Sequence, residues 1–413
     1  MLALLCALLL LTQSCLALSG TLDALDAAES LTLTVGGLKV ERLTGSDKGL
    51  QTLNAFAAPL SASVAVGGDT ALLRLMAGDK EISSLRMDAD AGTERLPHKA
   101  LEAVFTEALP ALFDACMPAE EPPEPEERSV SVRNLGRSTR RTTLTVTPEQ
   151  FAAAGPALAG FRECVSRLSA HLPHAAEIMA WLDQMEAVSD LTLKRLENDS
   201  GEAVAWQLTG QIASGGKDVR KLTLYGGVNG KNVYVSLKLP ARSGKNRLEL
   251  TVDLKDKAGK KKNTWSGTVT YKRNMNGVSL TLKDTVDLTD DHSDGEKITG
   301  SLKREHTADG IKTVWTVTPS LRGDGHSLEG RLTCRKKHAQ TVVWQAELTV
   351  SAAVGADPGE AAAADETLFA VQVLNYLTGY RNSLPEADRR QLDHMLRTDS
   401  WMNGAVIPVP SAK

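Results

Sequence analysis

The sequence predicts an α+β fold in which a large, curved antiparallel β-meander, half-barrel-like in form, carries helices packed on one face. Three observations predict it. From Thr264 to Ser351 a hairpin pattern occurs three times, each copy opening on a strand with Gly between apolar residues: Trp265-Ser266-Gly267-Thr268-Val269, Ile298-Thr299-Gly300-Ser301-Leu302 and Leu328-Glu329-Gly330-Arg331-Leu332. Each Gly shares a face with its apolar neighbours, because side chains alternate with period two. A residue without a side chain on that face marks a sharp bend or the close approach of another backbone. Finally, Leu368, Phe369, Val371, Val373, Leu374 and Leu377 put an apolar side on a helix spanning 366–380, a natural lid for such a sheet.

Taken in order, residues 1–19 read as a secretory signal: Leu2–Leu11 is wholly apolar, small and polar residues follow, and Ala17 or Ser19 suits cleavage. No Lys or Arg precedes the apolar run, which departs from the usual pattern. Thr12-Gln13-Ser14 fits a lipoprotein acylation site at Cys15 poorly, so simple export to an extracytoplasmic, secreted or cell-envelope location is expected. Residues 20–187 form a mixed strand and helix region. Ser30–Thr44 alternates as a strand or hairpin, and Ser61–Val66, Ala71–Ala77 and Ile82–Met87 are strands joined by Gly-Asp turns. Leu101–Met117 is apolar at helical spacing, with Pro110 kinking or restarting it.

Pro118–Arg128, with four prolines and five glutamates, is a solvated linker. Val130–Val146 returns to strand. Thr147-Pro148-Glu149-Gln150 then starts a helix, Thr as cap, Pro at the first helical position and Gln three residues on. It should break near Gly155-Pro156 and end about Leu172, with a second helix over Ala175–Ala187. Residues 188–351 are the meander: about ten strands, Trp206–Ile212 repeating the Gly signature at Gly210 and Asn229-Gly230 forming a turn. The third repeat needs one extra turn residue to align Val342, Trp344, Ala346 and Leu348. An Ala/Gly linker and two closing helices, 366–380 and 384–397, occupy 352–413.

Composition narrows function by exclusion. Aromatic residues make up only 4%, too few for stacking platforms that bind bases, and no nucleic-acid partner is expected. The net charge of −4 conceals a basic sheet region: residues 201–350 hold 25 Lys and Arg against 16 Asp and Glu, and the remainder 22 against 35. Lys255, Lys257, Lys260, Lys261 and Lys262 cluster at one hairpin tip and Arg335, Lys336, Lys337 and His338 at another. Such tips discourage edge-to-edge pairing, and they also permit peripheral contact with anionic head groups.

No motif for a catalytic nucleophile, a zinc protease, a phosphate loop or a dinucleotide fold is present, so a non-enzymatic protein without cofactor is expected. His171, His174 and Glu177 have helical spacing, but Pro173 stands among them and a polar helix junction is the better reading. An EF-hand loop begun at Asp290 would place Ser301 where the bidentate Glu belongs, so Asp287–Glu296 reads as a long acidic hairpin loop and no metal is expected. Cys116, Cys164 and Cys334 follow the signal. Cys116 and Cys164 flank the acidic linker and could bridge after export, although three thiols suits the odd number better. Trp206, Trp265, Trp315 and Trp344 fall on apolar strand faces. Trp265, Leu282, Trp315 and Trp344 are the candidate ligand-lining residues, should the sheet leave a cavity.

The order of elements resembles the half-barrel proteins of the bacterial envelope, the lipoprotein-carrier family and its mycobacterial lipid-binding relatives. The resemblance lies in architecture, not in a sequence motif. It implies a carrier whose concave face takes an amphiphile or an apolar segment, with a lipid or an envelope protein as partner. The alternative is a structural or interaction module whose core is filled by its own helices.

Overall fold

The computed structural model describes residues 30–43, 50–67, 70–88, 101–118, 122–169, 188–213, 219–230, 232–240, 247–275, 277–293, 295–324, 326–354 and 365–390. The predicted signal, the helix over 175–187 and the end of the last helix lie outside these residues, as do His171, His174 and Glu177. Seventeen strands join in one antiparallel sheet: β1 (Ser30–Leu43), β2 (Leu60–Gly67), β3 (Thr70–Ala77), β4 (Lys80–Asp88), β5 (Glu126–Val132), β6 (Gly136–Val146), β7 (Val188–Glu197), β8 (Ala203–Ala213), β9 (Val219–Asn229), β10 (Asn232–Pro240), β11 (Arg247–Lys257), β12 (Lys262–Met275), β13 (Val278–Asp291), β14 (Glu296–Ala308), β15 (Ile311–Gly323), β16 (Ser327–His338) and β17 (Thr341–Val354). From β5 to β17 every strand pairs with its successor. β1 then pairs with β17 on one side and with β2 on the other, so hydrogen bonding runs on through β2, β3 and β4. The sheet is open, its edges being β4 and β5.

Sheet and turn chemistry account for most of these elements, and the differences from expectation have local causes. Val130–Val146 is two strands, not one, because the short 3-10 turn Arg133–Leu135 and Gly136 at φ 122° reverse the chain. Strand β5 starts at Glu126, so the acidic segment shortens and its charges protect an exposed edge. Near the chain's start, Ser30–Leu43 stays one strand: the register with β17 shifts between Gly36 and Lys39, a bulge where Gly37 takes φ 58°. The extra residue of the third repeat lies beyond its turn, as a register shift opposite Lys336 and Lys337.

The meander glycines lie at backbone crossings. A Cβ on Gly267 would stand 2.8 Å from the Leu254 Cα and overlap the Asp253 carbonyl oxygen. Gly300, at φ 136°, and Gly330, at φ 154°, would meet Leu288 and Leu321 of the adjoining strands in the same way. No L side chain fits such an approach, so the glycines allow the sheet to arch. Gly210 is buried opposite Leu222.

Among the described residues, helices flanking the sheet include α1 (Leu50–Ala57), α2 (Leu109–Ala115), α3 (Pro148–Ala153), α4 (Gly155–Ser169) and α5 (Glu366–Ser383). A π-helical turn, Val104–Ala108, precedes α2; there the Leu109 amide reaches back to the Val104 carbonyl, and Pro110, lacking an N–H, opens α2 without breaking the segment. The Thr147 cap is reciprocal. Thr147 Oγ1 accepts from the Gln150 amide at 3.3 Å, and Gln150 Oε1 accepts from the Thr147 amide at 2.8 Å. The break at Gly155 separates α3 from α4 as expected.

Two apolar clusters divide the core. In one, α2 and α4 press Leu112, Phe113 and Phe161 against the inner residues of β6–β12, among them Leu193, Trp206, Leu208, Val235 and Tyr271. In the other, β12–β17 and β1–β3 contribute Trp265, Leu288, Ile298, Leu332, Leu348 and Val35, with α1 and α5 packed against them. A third, smaller cluster of Val132, Leu135, Leu196 and Ala205 lies on the opposite face of β7 and β8, where Asn134 and Asn229 tie the 3-10 turn to β9–β11. Among the described residues no helix is long and apolar enough to cross a membrane.

Candidate functional site

Helix α5 and strands β2–β4 leave an apolar cleft between them. Asp365 caps the helix by accepting the Leu368 amide at 2.8 Å, and the cap aims the chain back across the edge strand. Val373, 4% exposed, and the partly buried Phe369 and Leu377 then face the sheet. Polar and aromatic pins fix the helix. Ser83 Oγ of β4 donates to Gln372 Oε1 at 2.5 Å, and the rings of Phe56 in α1 and Tyr380 stand 4.5 Å apart.

Leu60, Ser61, Ala62, Leu75, Met76, Ile82, Val373, Tyr376 and Leu377 line the cleft, which is small and open to solvent. On the outer side of the same helix Leu368, Val371 and Leu374 are 41–45% exposed. Apolar surface therefore continues around α5 from the cleft to solvent. Such a site offers dispersion and burial, with little to orient a polar substrate.

The four residues predicted to line a ligand site are spread over the inner face. Trp265 is 5% exposed within the cluster of β12–β17 and β1–β3, and its Nε1 has no hydrogen-bond partner among the described residues. Trp344 packs against that same cluster, whereas Leu282 packs against the other. Trp315 belongs to neither and sits among charges. Its register partners are Arg304 and Lys336, and the Lys336 ammonium lies 5.4 Å from its ring centroid. Lys336 in turn faces Trp344 on β17.

Arg304 is neutralised by Asp284, to which its guanidinium donates twice at 2.8 Å. Between the two apolar clusters the inner face thus carries a polar row, Asp284, Arg304, Trp315 and Lys336. Periodicity placed Trp315 on this face, whereas Lys336, read from the sequence as part of a basic hairpin tip, lies within β16 and is buried against it, because strand alternation turns it inward.

The loop read as acidic and solvated holds a second gathering of groups. Asp290, completely buried, is drawn inward by strand alternation, and donor atoms of Asp290, His292 and Glu296 lie within 4.8 Å of one another. Burial first, then the Glu296 charge, pushes the Asp290 carboxyl up to about 6, against the opposing pull of His292. Asp291 points the other way and pairs with Lys262 at 2.8 Å, and its carboxyl is held well below the usual range by Lys262 and Ser293. A spacing test against an EF-hand missed the triad because two of its members approach across a hairpin turn, not along a loop of fixed length.

Cys116 and Cys334 are buried and Cys164 is half-buried; no disulfide joins them. No family model, curated protein or solved structure matches the chain.

Proposed function

We propose that this chain is an exported, non-enzymatic envelope protein that holds the apolar chain of an amphiphile, or an apolar peptide segment, beneath α5. In this reading the sheet is a half-barrel of the carrier type and the helix is its lid. One observation carries the proposal: apolar side chains of β2–β4 and α5 form an open cleft whose lining continues onto the exposed Leu368, Val371 and Leu374. Removing that surface from water supplies a driving force of roughly 25 cal/mol per Å². The Trp residues of the arch then serve as packing around the site.

Mass spectrometry of gently purified protein tests the proposal. A co-purifying amphiphile is expected, and Met76→Glu, which puts a charge on the partly exposed lining of the cleft, should expel it while circular dichroism shows the sheet retained. Empty protein that also fails to take up a fluorescent fatty acid would overturn it. A second reading, a structural or interaction module, is favoured by the half of the sheet filled by α2 and α4, where Phe113 and Phe161 are each 1% exposed. Crosslinking that returns a defined protein partner and no lipid would support that alternative.

A further inference from the structure

We infer that Asp290, His292 and Glu296 form a divalent transition-metal site at the hairpin joining β13 to β14. The three side chains present two carboxylates and one imidazole, a donor set suited to zinc or manganese. Their donor atoms lie within 4.8 Å of one another. Donors on one ion stand about 3–4 Å apart, given metal–ligand bonds of ~2.1 Å, so small rotations at the partly exposed Glu296 and His292 complete the set.

Asp290 supplies the independent observation. It is 0% exposed, and among the described residues neither Oδ1 nor Oδ2 has a hydrogen-bond partner, the ion-pair contact with His292 being the approach to Oδ2. A buried carboxylate without donors is costly, and a proton or a cation must compensate it. His292 Nε2 stands 3.2 Å from Oδ2, and a Glu296 carboxylate oxygen lies within 4.8 Å of both groups.

The surroundings favour a cation. Asn263 Oδ1 accepts from the Gly259 amide at 3.1 Å, which turns Nδ2 toward His292 Nε2, also at 3.1 Å. Nε2, the ring nitrogen a metal would use, thus faces both Asp290 Oδ2 and Asn263 Nδ2. Metal binding exchanges that contact for a bond to the ion. The backbone is already held, because the His292 amide donates to the Lys261 carbonyl at 2.8 Å. Lys262, on the neighbouring strand, is engaged by Asp291 at 2.8 Å.

Titration calorimetry of the full chain, first stripped with chelator, should show one equivalent of Zn²⁺ bound at pH 7.5. His292→Ala and Asp290→Asn should each weaken that binding at least thirtyfold. Asp290→Asn removes the buried charge without changing shape, so circular dichroism should show the same sheet and, in chelator, an equal or higher Tm. Co²⁺ should give visible bands that vanish in His292→Ala. Binding that survives unchanged in both variants, or no binding beyond that of His292→Ala, would overturn the site.

Discussion

Gly300 lies against Leu288 of the neighbouring strand so closely that a Cβ would stand 2.8 Å from the Leu288 Cα and run into the Asp287 carbonyl. Its φ of 136° independently excludes an L side chain. Gly300→Ala should therefore destabilise the protein by about 2–4 kcal/mol, since both strain and a backbone clash must be relieved. Urea titration of the variant checks it.

Gly379 gives the opposite expectation. It lies within α5, where an added Cβ would meet nothing within 4 Å, and its φ is not positive. Gly379→Ala should stabilise the protein by roughly 0.5–1 kcal/mol through helix propensity alone. If α5 is the lid, the same change should leave amphiphile capture intact. A Tm lowered by this substitution would mean that α5 is not helical there.

Phe113 and Trp206 meet edge to face, with ring centroids 5.4 Å apart, in the cluster beneath α2. Phe113→Ala should cost about 3–5 kcal/mol by leaving a cavity in a packed interior. Denaturant midpoints give the magnitude.

Thr147→Ala removes one half of the reciprocal cap on α3 and should cost about 1 kcal/mol. Because Gln150 loses its partner too, Thr147→Ala and Gln150→Ala should combine to less than the sum of their separate effects. A double-mutant cycle measures the difference.

Burial pushes the Cys334 thiol up to about 12. The thiolate is the reactive form, so at pH 8 native Cys334 should resist alkylation, and raising the pH to 9.5 should bring little gain while the fold persists. Rapid labelling in denaturant and slow labelling in buffer is the expected contrast by mass spectrometry. Fast labelling at pH 8 would show that β16 opens readily.

Strand alternation, turn residues and the Thr147 box were legible in the chain because each depends on neighbours a few positions away. The meander, the break at Gly155 and the glycines at the bends followed from such local rules. The turn at Arg133–Leu135 escaped notice, since its Asn134 is held by carbonyls of β10 and β11 about a hundred residues on. Of the four candidate residues, alternation put Trp265, Leu282, Trp315 and Trp344 on one inner face without revealing that separate clusters and a charged row divide them.

By itself the sequence determined that this chain makes a long antiparallel meander, bent where glycine replaces a core side chain. Only the tertiary structure decided that β1 returns to β17, that α5 leaves a cleft against β2–β4, and that Asp290 turns inward toward His292 and Glu296. The reason is range. Period and propensity act over a few residues, whereas pairing of distant strands and the desolvation of one carboxylate depend on which parts of the chain come to lie beside each other.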